Sequence, residues 1–137
     1  MRTQLNVLGV DTTLLLTADQ TGGAATLVML DVAPGAGTPP HVHEREDESF
    51  LVLDGEIDIT LDGRTTRLGA GEAAWGARGV PHMFRNSSPR PARLVVTATP
   101  GGLDRFFVAA DEMFPEGAEI DPARLVRLLE EFGMKPA

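Results

Sequence analysis

The sequence predicts an all-β barrel or sandwich closed by a short C-terminal α-helical tail. Three observations carry that prediction. Short apolar runs alternate with turn residues, and 15 glycines and 10 prolines in 137 residues suit many tight connections. Asp54-Gly55 and Asp62-Gly63 each stand between two such runs, and Asp-Gly is a strong hairpin signal because both turn positions need positive φ. After Pro100-Gly101-Gly102 the spacing of apolar residues becomes helical. The expected organisation is a β-barrel over residues 1–100 and a helical extension packed on it over 101–137.

The strands follow in order. Leu5 to Val10 reads as an edge strand able to add to a neighbour. Thr26 to Val32 is an almost continuous apolar run, as in a buried strand. Glu48 to Leu53, Glu56 to Leu61 and Arg64 to Leu68 are separated by the two Asp-Gly pairs. In the middle run, Ile57, Ile59 and Leu61 alternate with Glu56, Asp58 and Thr60, which predicts one wet face. Glu72 to Trp75, Pro81 to Arg85 and Arg93 to Thr99 complete the set. In the tail, Phe106, Phe107 and Ala110 mark a first helix over Leu103 to Ala110. Asp121-Pro122 opens a second, with Asp as N-cap and Pro in the first turn. Leu125, Val126, Leu128, Leu129 and Phe132 form its apolar stripe, and Gly133 closes it.

Composition excludes several functions. The chain has no cysteine, so disulfides, thiolate metal sites, iron–sulfur clusters and cysteine nucleophiles are ruled out. A cytoplasmic location fits, and MRTQLNVLGV lacks the apolar core of a secretory signal. No run approaches the ~18 apolar residues of a membrane span. A net charge of −8 repels phosphate backbones and argues against nucleic acid as a partner.

All three histidines fall in two segments that read as one metal site. The first, Gly35 to Gly55, has the pattern G-x5-H-x-H-x4-E-x6-G, with His41, His43 and Glu48. The second, Gly71 to Asn86, reads G-x5-A-x-G-x2-H-x3-N and contains His82. On a strand, H-x-H places both imidazoles on one face. Glu48 can open the next strand from the facing side, with Asp47 its nearest rival; Glu44 and Glu46 read as solvated loop acids. Three nitrogens and one oxygen favour a transition metal and leave two positions of an octahedron open. Phe50 and Phe84, each two residues from a ligand, are expected to share its face, with Trp75 and Met29 as further pocket walls. Such a pocket suits an aromatic or polyketide-like small molecule with chelating oxygens. No serine–histidine–acid triad is credible when every histidine is used in this way.

These two segments resemble the two motifs of the cupin superfamily, whose members are double-stranded β-helix (jelly-roll) barrels. The first motif fits at every defining position; the second departs at Ala77, where the family usually has proline, at a position that shapes a turn. The resemblance implies that His41, His43, Glu48 and His82 are the metal ligands. It implies one divalent ion per chain, Fe, Ni, Mn or Co, with Zn or Cu able to replace it on isolation. Gly102 to Phe107 and the closing EEFGMKP segment also resemble the tail of single-domain quercetinase-type cupins. That likeness implies a helix over the barrel mouth, a dioxygenase, and Glu48 as both ligand and catalytic base. A redox-neutral isomerase, decarboxylase or polyketide cyclase, and a non-catalytic binding cupin, are the alternatives. The family also implies a homodimer, paired through sheet edges.

Overall fold

Eleven strands and two helices make up the part of the molecule that the computed structural model describes, residues 3–137; residues 1 and 2, at the start of the expected barrel, lie outside the described residues. β1 (Gln4–Val7) and β2 (Val10–Leu16) form a hairpin over Leu8-Gly9, whose φ values are 52° and 92°. Leu5 to Val10 is therefore not a single strand offered to a neighbour. A turn that matches the twist of the strands folds it back on its own chain and buries Leu5 and Val7.

The remaining strands are β3 (Thr26–Val32), β4 (His41–His43), β5 (Asp47–Asp54), β6 (Glu56–Leu61), β7 (Arg64–Gly69), β8 (Ala73–Gly76), β9 (His82–Arg85) and β10 (Ala92–Thr99). Helices α1 (Leu103–Met113) and α2 (Pro122–Glu131) follow, and β11 (Met134–Pro136) ends the chain. Two sheets result, in the orders β1-β2-β3-β10-β5-β8 and β11-β4-β9-β6-β7. They pack face to face as a jelly-roll barrel. Inward positions alternate along the strands, and Val28, Val52, Ile57, Ile59 and Leu94 are fully buried between the sheets.

The two Asp-Gly pairs behave differently. Asp62 and Gly63, with φ of 49° and 81°, make the expected hairpin between β6 and β7. Asp54-Gly55 does not make one. β5 and β6 belong to different sheets, and only Gly55 has positive φ, at 77°. It is the corner at which the chain crosses the barrel. A side chain there would run into the Pro91 carbonyl and Ala92, so glycine is needed for close approach as well as for conformation.

The tail is tied to the barrel by polar groups. The buried Asp104 carboxylate accepts from the Thr26 hydroxyl at 2.7 Å and the Ala18 amide at 3.2 Å, which fixes the start of α1. Asp121 caps α2 by accepting from the Ala123 amide at 3.0 Å, and Gly133 follows the helix at φ 74°. The sequence reading of residues 101–137 as helical lacks one element. β11 joins the smaller sheet antiparallel to β4, with Met134 opposite His43 and Pro136 opposite His41. No helix among the described residues is long and apolar enough to cross a membrane.

Candidate metal centre

His41 and His43 project from β4, and His82 opens β9, the strand that pairs with β4 through His41 and His82. Glu48 comes from the facing sheet as the second residue of β5. Strand alternation sends Glu48 inward and its neighbour Asp47 outward, where Asp47 pairs with Arg78 at 2.9 Å. That settles which acid reaches the centre. One ligand atom from each of His41, His43, Glu48 and His82 lies within 4.8 Å of the others.

Each imidazole is held from behind through Nδ1. His41 Nδ1 faces the Pro39 carbonyl at 2.8 Å, His82 Nδ1 the Val80 carbonyl at 3.2 Å, and His43 Nδ1 the Glu46 carboxylate at 3.3 Å. This selects the tautomer that leaves Nε2 available, the usual arrangement behind metal-binding histidines. On the inner side, His43 Nε2 and His82 Nε2 stand 2.8 and 2.9 Å from the same oxygen, Glu48 Oε1. These two rings therefore meet an acceptor at both nitrogens. Only a second proton or a metal cation satisfies that geometry, so the donor set fits a divalent ion.

The charges agree with this. Burial pushes the His43 imidazole down, but the carboxylates of Glu48 and Glu46 outweigh it and hold it up at about 9. Burial would raise Glu48, yet His43 and His82 keep its carboxyl well below the usual carboxylate range. Burial and the neighbouring His82 push His41 down to about 4, so that ring is neutral. The centre is built to hold positive charge against Glu48.

A cavity of about 310 Å³ opens above the four side chains. Phe50 and Phe84 line it, as do Val28, Leu30 and Val96 of the larger sheet. Trp75 and Met29 do not. β8 has Gly76 and Ala74 turned inward, so Trp75 points outward and is 58% exposed. In β3, Val28 and Leu30 take the inner face and Met29 the outer. The expectation that either residue walls the pocket is corrected by the phase of its strand. The helix expected over the barrel mouth is joined there by a second helix and a strand: Phe106 and Phe107 of α1, Leu125 and Leu129 of α2, and Met134 of β11 line the cavity.

Sequence reasoning also misplaced Glu46. It is not a solvated loop acid but is only 6% exposed, turned in behind His43. An acid in a run of acids carries no local sign of this. Asn86, whose amide donates to the Val32 and Arg90 carbonyls, ties turns together away from the centre.

Comparison with known proteins agrees with the geometry. The family model described as "Cupin domain" matches residues 28–98, more than half of the chain. The chain belongs to the cupin family. Quercetin 2,3-dioxygenase of Bacillus subtilis is 35% identical over 95 residues, 69% of this chain but 28% of the relative's length. The tetracenomycin polyketide synthase protein TcmJ of Streptomyces glaucescens is 29% identical over 93 residues, 67% of this chain and 62% of that protein. This cupin thus spans less than two thirds of either curated relative. Among solved structures, the polyketide cyclase RemF from Streptomyces resistomycificus superposes with a TM-score of 0.60 and 29% identity, covering 72% of this chain and 70% of that one.

Proposed function

We propose that this cupin is a metal-dependent dioxygenase acting on a small aromatic or enolic substrate, flavonol-like or polyketide-like. One observation carries the reading: three imidazoles and a carboxylate converge at the floor of an apolar cavity that, among the described residues, no lysine or arginine lines. Without a cationic side chain, a substrate must bind through oxygens at the metal and through an apolar body. A phosphate or dicarboxylate would meet no cationic side chain there among the described residues. His41, His43, Glu48 and His82 would hold one Fe(II), Ni(II), Mn(II) or Co(II) ion; Zn(II) or Cu(II) can occupy the same donors on affinity grounds. Bound there, the ion supplies a Lewis acid for an enol oxygen and a redox centre for dioxygen.

The protein's own residues do the rest. Phe50 and Phe84 flank the substrate body, and the roof from α1, α2 and β11 excludes water. Glu48 would accept the enol proton; its carboxylate is ionised, and the hold of His43 and His82 on it keeps it a weak base until one of those contacts is released. The likeness to quercetin 2,3-dioxygenase supports this reading.

The likeness to TcmJ and RemF favours a second reading, a redox-neutral cyclase or isomerase that uses the same enolate chemistry without oxygen. Protein reconstituted separately with Fe, Mn, Co, Ni and Zn should be assayed for oxygen uptake with flavonols, β-diketones and catechols. Uptake with a redox-active ion is the expected result. No uptake with any ion would sink the dioxygenase, and turnover under anaerobic conditions with Zn would establish the second reading.

A further inference from the structure

The cavity is long, and its two ends differ. Glu48 shares a cross-strand row with Ala98 and Thr26, and Thr12 shares one with Leu30, Leu94 and Val52. These rows stand four residues apart along β5, on the order of 13 Å. Glu48 and Thr12 nevertheless line the same cavity. The metal centre therefore occupies one end, and the β1–β2 hairpin walls the other through Val7, Leu8, Val10 and Thr12. Outside the four candidate ligands, only Thr12 and Thr38 among the described lining residues have a side-chain oxygen or nitrogen. Thr38 belongs to the metal end: it lies three residues before His41, is partly exposed, and its hydroxyl accepts from the Phe84 amide at 3.2 Å.

Thr12 is different. It is buried between Val10 and Leu14 on the inward face of β2, where alternation calls for an apolar residue. Its hydroxyl donates to the Val10 carbonyl at 3.1 Å. A hydroxyl has one proton and two lone pairs, so with its proton committed Thr12 is left as an acceptor. Further along the hairpin, Leu8 holds a φ of 52°, a left-handed turn conformation that glycine or asparagine adopts with less strain. That strained position keeps a bulky apolar side chain, and it lines the cavity. We propose that Thr12 is a specificity-determining residue, the acceptor for a hydroxyl at the end of the substrate remote from its metal-binding oxygens, with Leu8 as the stop beyond it. This deepens the reading of the centre as a site for chelating enols, and rests on it. The substrate class it selects is a molecule of linked rings, long enough to reach from the ion to β2, chelating at one end and phenolic at the other. A carbonyl or ether at the far end would set acceptor against acceptor and be disfavoured.

Calorimetric titration of the Zn(II)-loaded full chain with three flavonols tests this: one unsubstituted, one with a hydroxyl at the far position of its pendant ring, and the methyl ether of the second. The hydroxylated ligand should bind roughly threefold to tenfold more tightly than the other two. In Thr12→Val, which keeps the shape and the strand preference, that advantage should disappear while the unsubstituted flavonol binds as before. Thr13→Val, on the outer face of the same strand, should retain the full advantage, with circular dichroism confirming that each variant is folded. Leu8→Gly relieves the turn and opens the end of the cavity, so it should bind the methyl ether more tightly than wild type does. Equal affinity for the three ligands, or an advantage that survives Thr12→Val, would overturn the role of Thr12 and leave the reading of the centre intact. A methyl ether bound no better by Leu8→Gly would overturn the stop. No binding of any flavonol would overturn both the subsite and the substrate class on which it rests.

Discussion

The two sheets divide the work unequally, on both their faces. The five-stranded sheet supplies three imidazoles from β4 and β9, while the six-stranded sheet supplies the single carboxylate, Glu48. Outside, the smaller sheet is built for water: Asp58 pairs with Arg67 at 2.9 Å, and the hydroxyls of Thr60 and Thr65 bond to each other. The larger sheet presents leucines and a tryptophan. The centre therefore exists only while the two sheets are closed on one another, and the larger sheet bears both the acid and the apolar outer face. A change that separates the sheets would break up the four-residue cluster, whereas a change confined to either outer face would leave it in place.

The largest effect should come from removing one ligand from either sheet. His82→Ala and Glu48→Ala should each reduce bound metal from about one ion per chain to near zero by elemental analysis, since metal binding needs the complete donor set. Glu48→Gln separates the roles of that residue. It keeps the shape and removes the base, so turnover should fall by roughly 10²–10⁴. If His82→Ala retained full stoichiometry, the division of ligands between sheets would be wrong.

Next in size is the roof. Phe106 of α1 is buried and packs at a tilt against Phe107 and edge-on against Phe132, each at 5.8 Å between ring centroids. Phe106→Ala should cost about 3–5 kcal/mol of stability in a denaturant titration. Because Phe106 touches the cavity but no ligand, metal stoichiometry in the folded variant should be unchanged. A loss of metal would mean that the tail, and not only the two sheets, holds the centre together.

Third is Glu46, which distinguishes His43 from the other two histidines. His41 and His82 are backed by neutral carbonyls and His43 by a carboxylate. Glu46→Gln should weaken metal affinity about 10–100-fold and shift the visible absorption of a Co(II) form. Glu44→Gln is the control, since Glu44 is exposed and pairs with Lys135 at 3.1 Å. Equal affinities in the two variants would show that the three rings are held alike.

How much of this was legible depended on distance along the chain. That His41, His43, Glu48 and His82 come together could be read because each sits in a short turn-and-strand pattern of its own. Asp62-Gly63 was legible for the same reason. Asp54-Gly55 carries an identical local signal but turns a corner between sheets, and only the rest of the barrel decides that. Trp75 and Met29 were misplaced by one position of strand phase, which a run such as Leu27 to Val32, apolar apart from Asp31, cannot reveal. Glu46 looks like its acidic neighbours until His43 is placed beside it. β11, three residues of Met-Lys-Pro, has no strand signature; it is a strand because β4 offers it an open edge.

The smallest effect sharpens the contrast between outer faces. Asp47–Arg78 borders the apolar face of the larger sheet, and Asp58–Arg67 lies on the wet face of the smaller. The Arg78 guanidinium and amide hold the Asp47 carboxyl below its ordinary value of 3.8, and the Arg67 guanidinium does the same for Asp58. A depressed folded value stabilises the protein above the unfolded pKa, and that contribution is lost as pH falls through the lowered value. Wild type should therefore exceed Asp47→Asn and Asp58→Asn slightly in melting temperature near neutrality, and both differences should vanish in acid below the ordinary aspartate range. Added salt separates the two pairs. Both pairs are exposed, and salt should screen their guanidinium contacts alike. Asp47 also accepts from the Arg78 amide at 2.8 Å, so its difference should survive salt better than that of Asp58–Arg67. Equal salt sensitivity would mean that the backbone bond adds nothing and that the two faces hold their pairs alike.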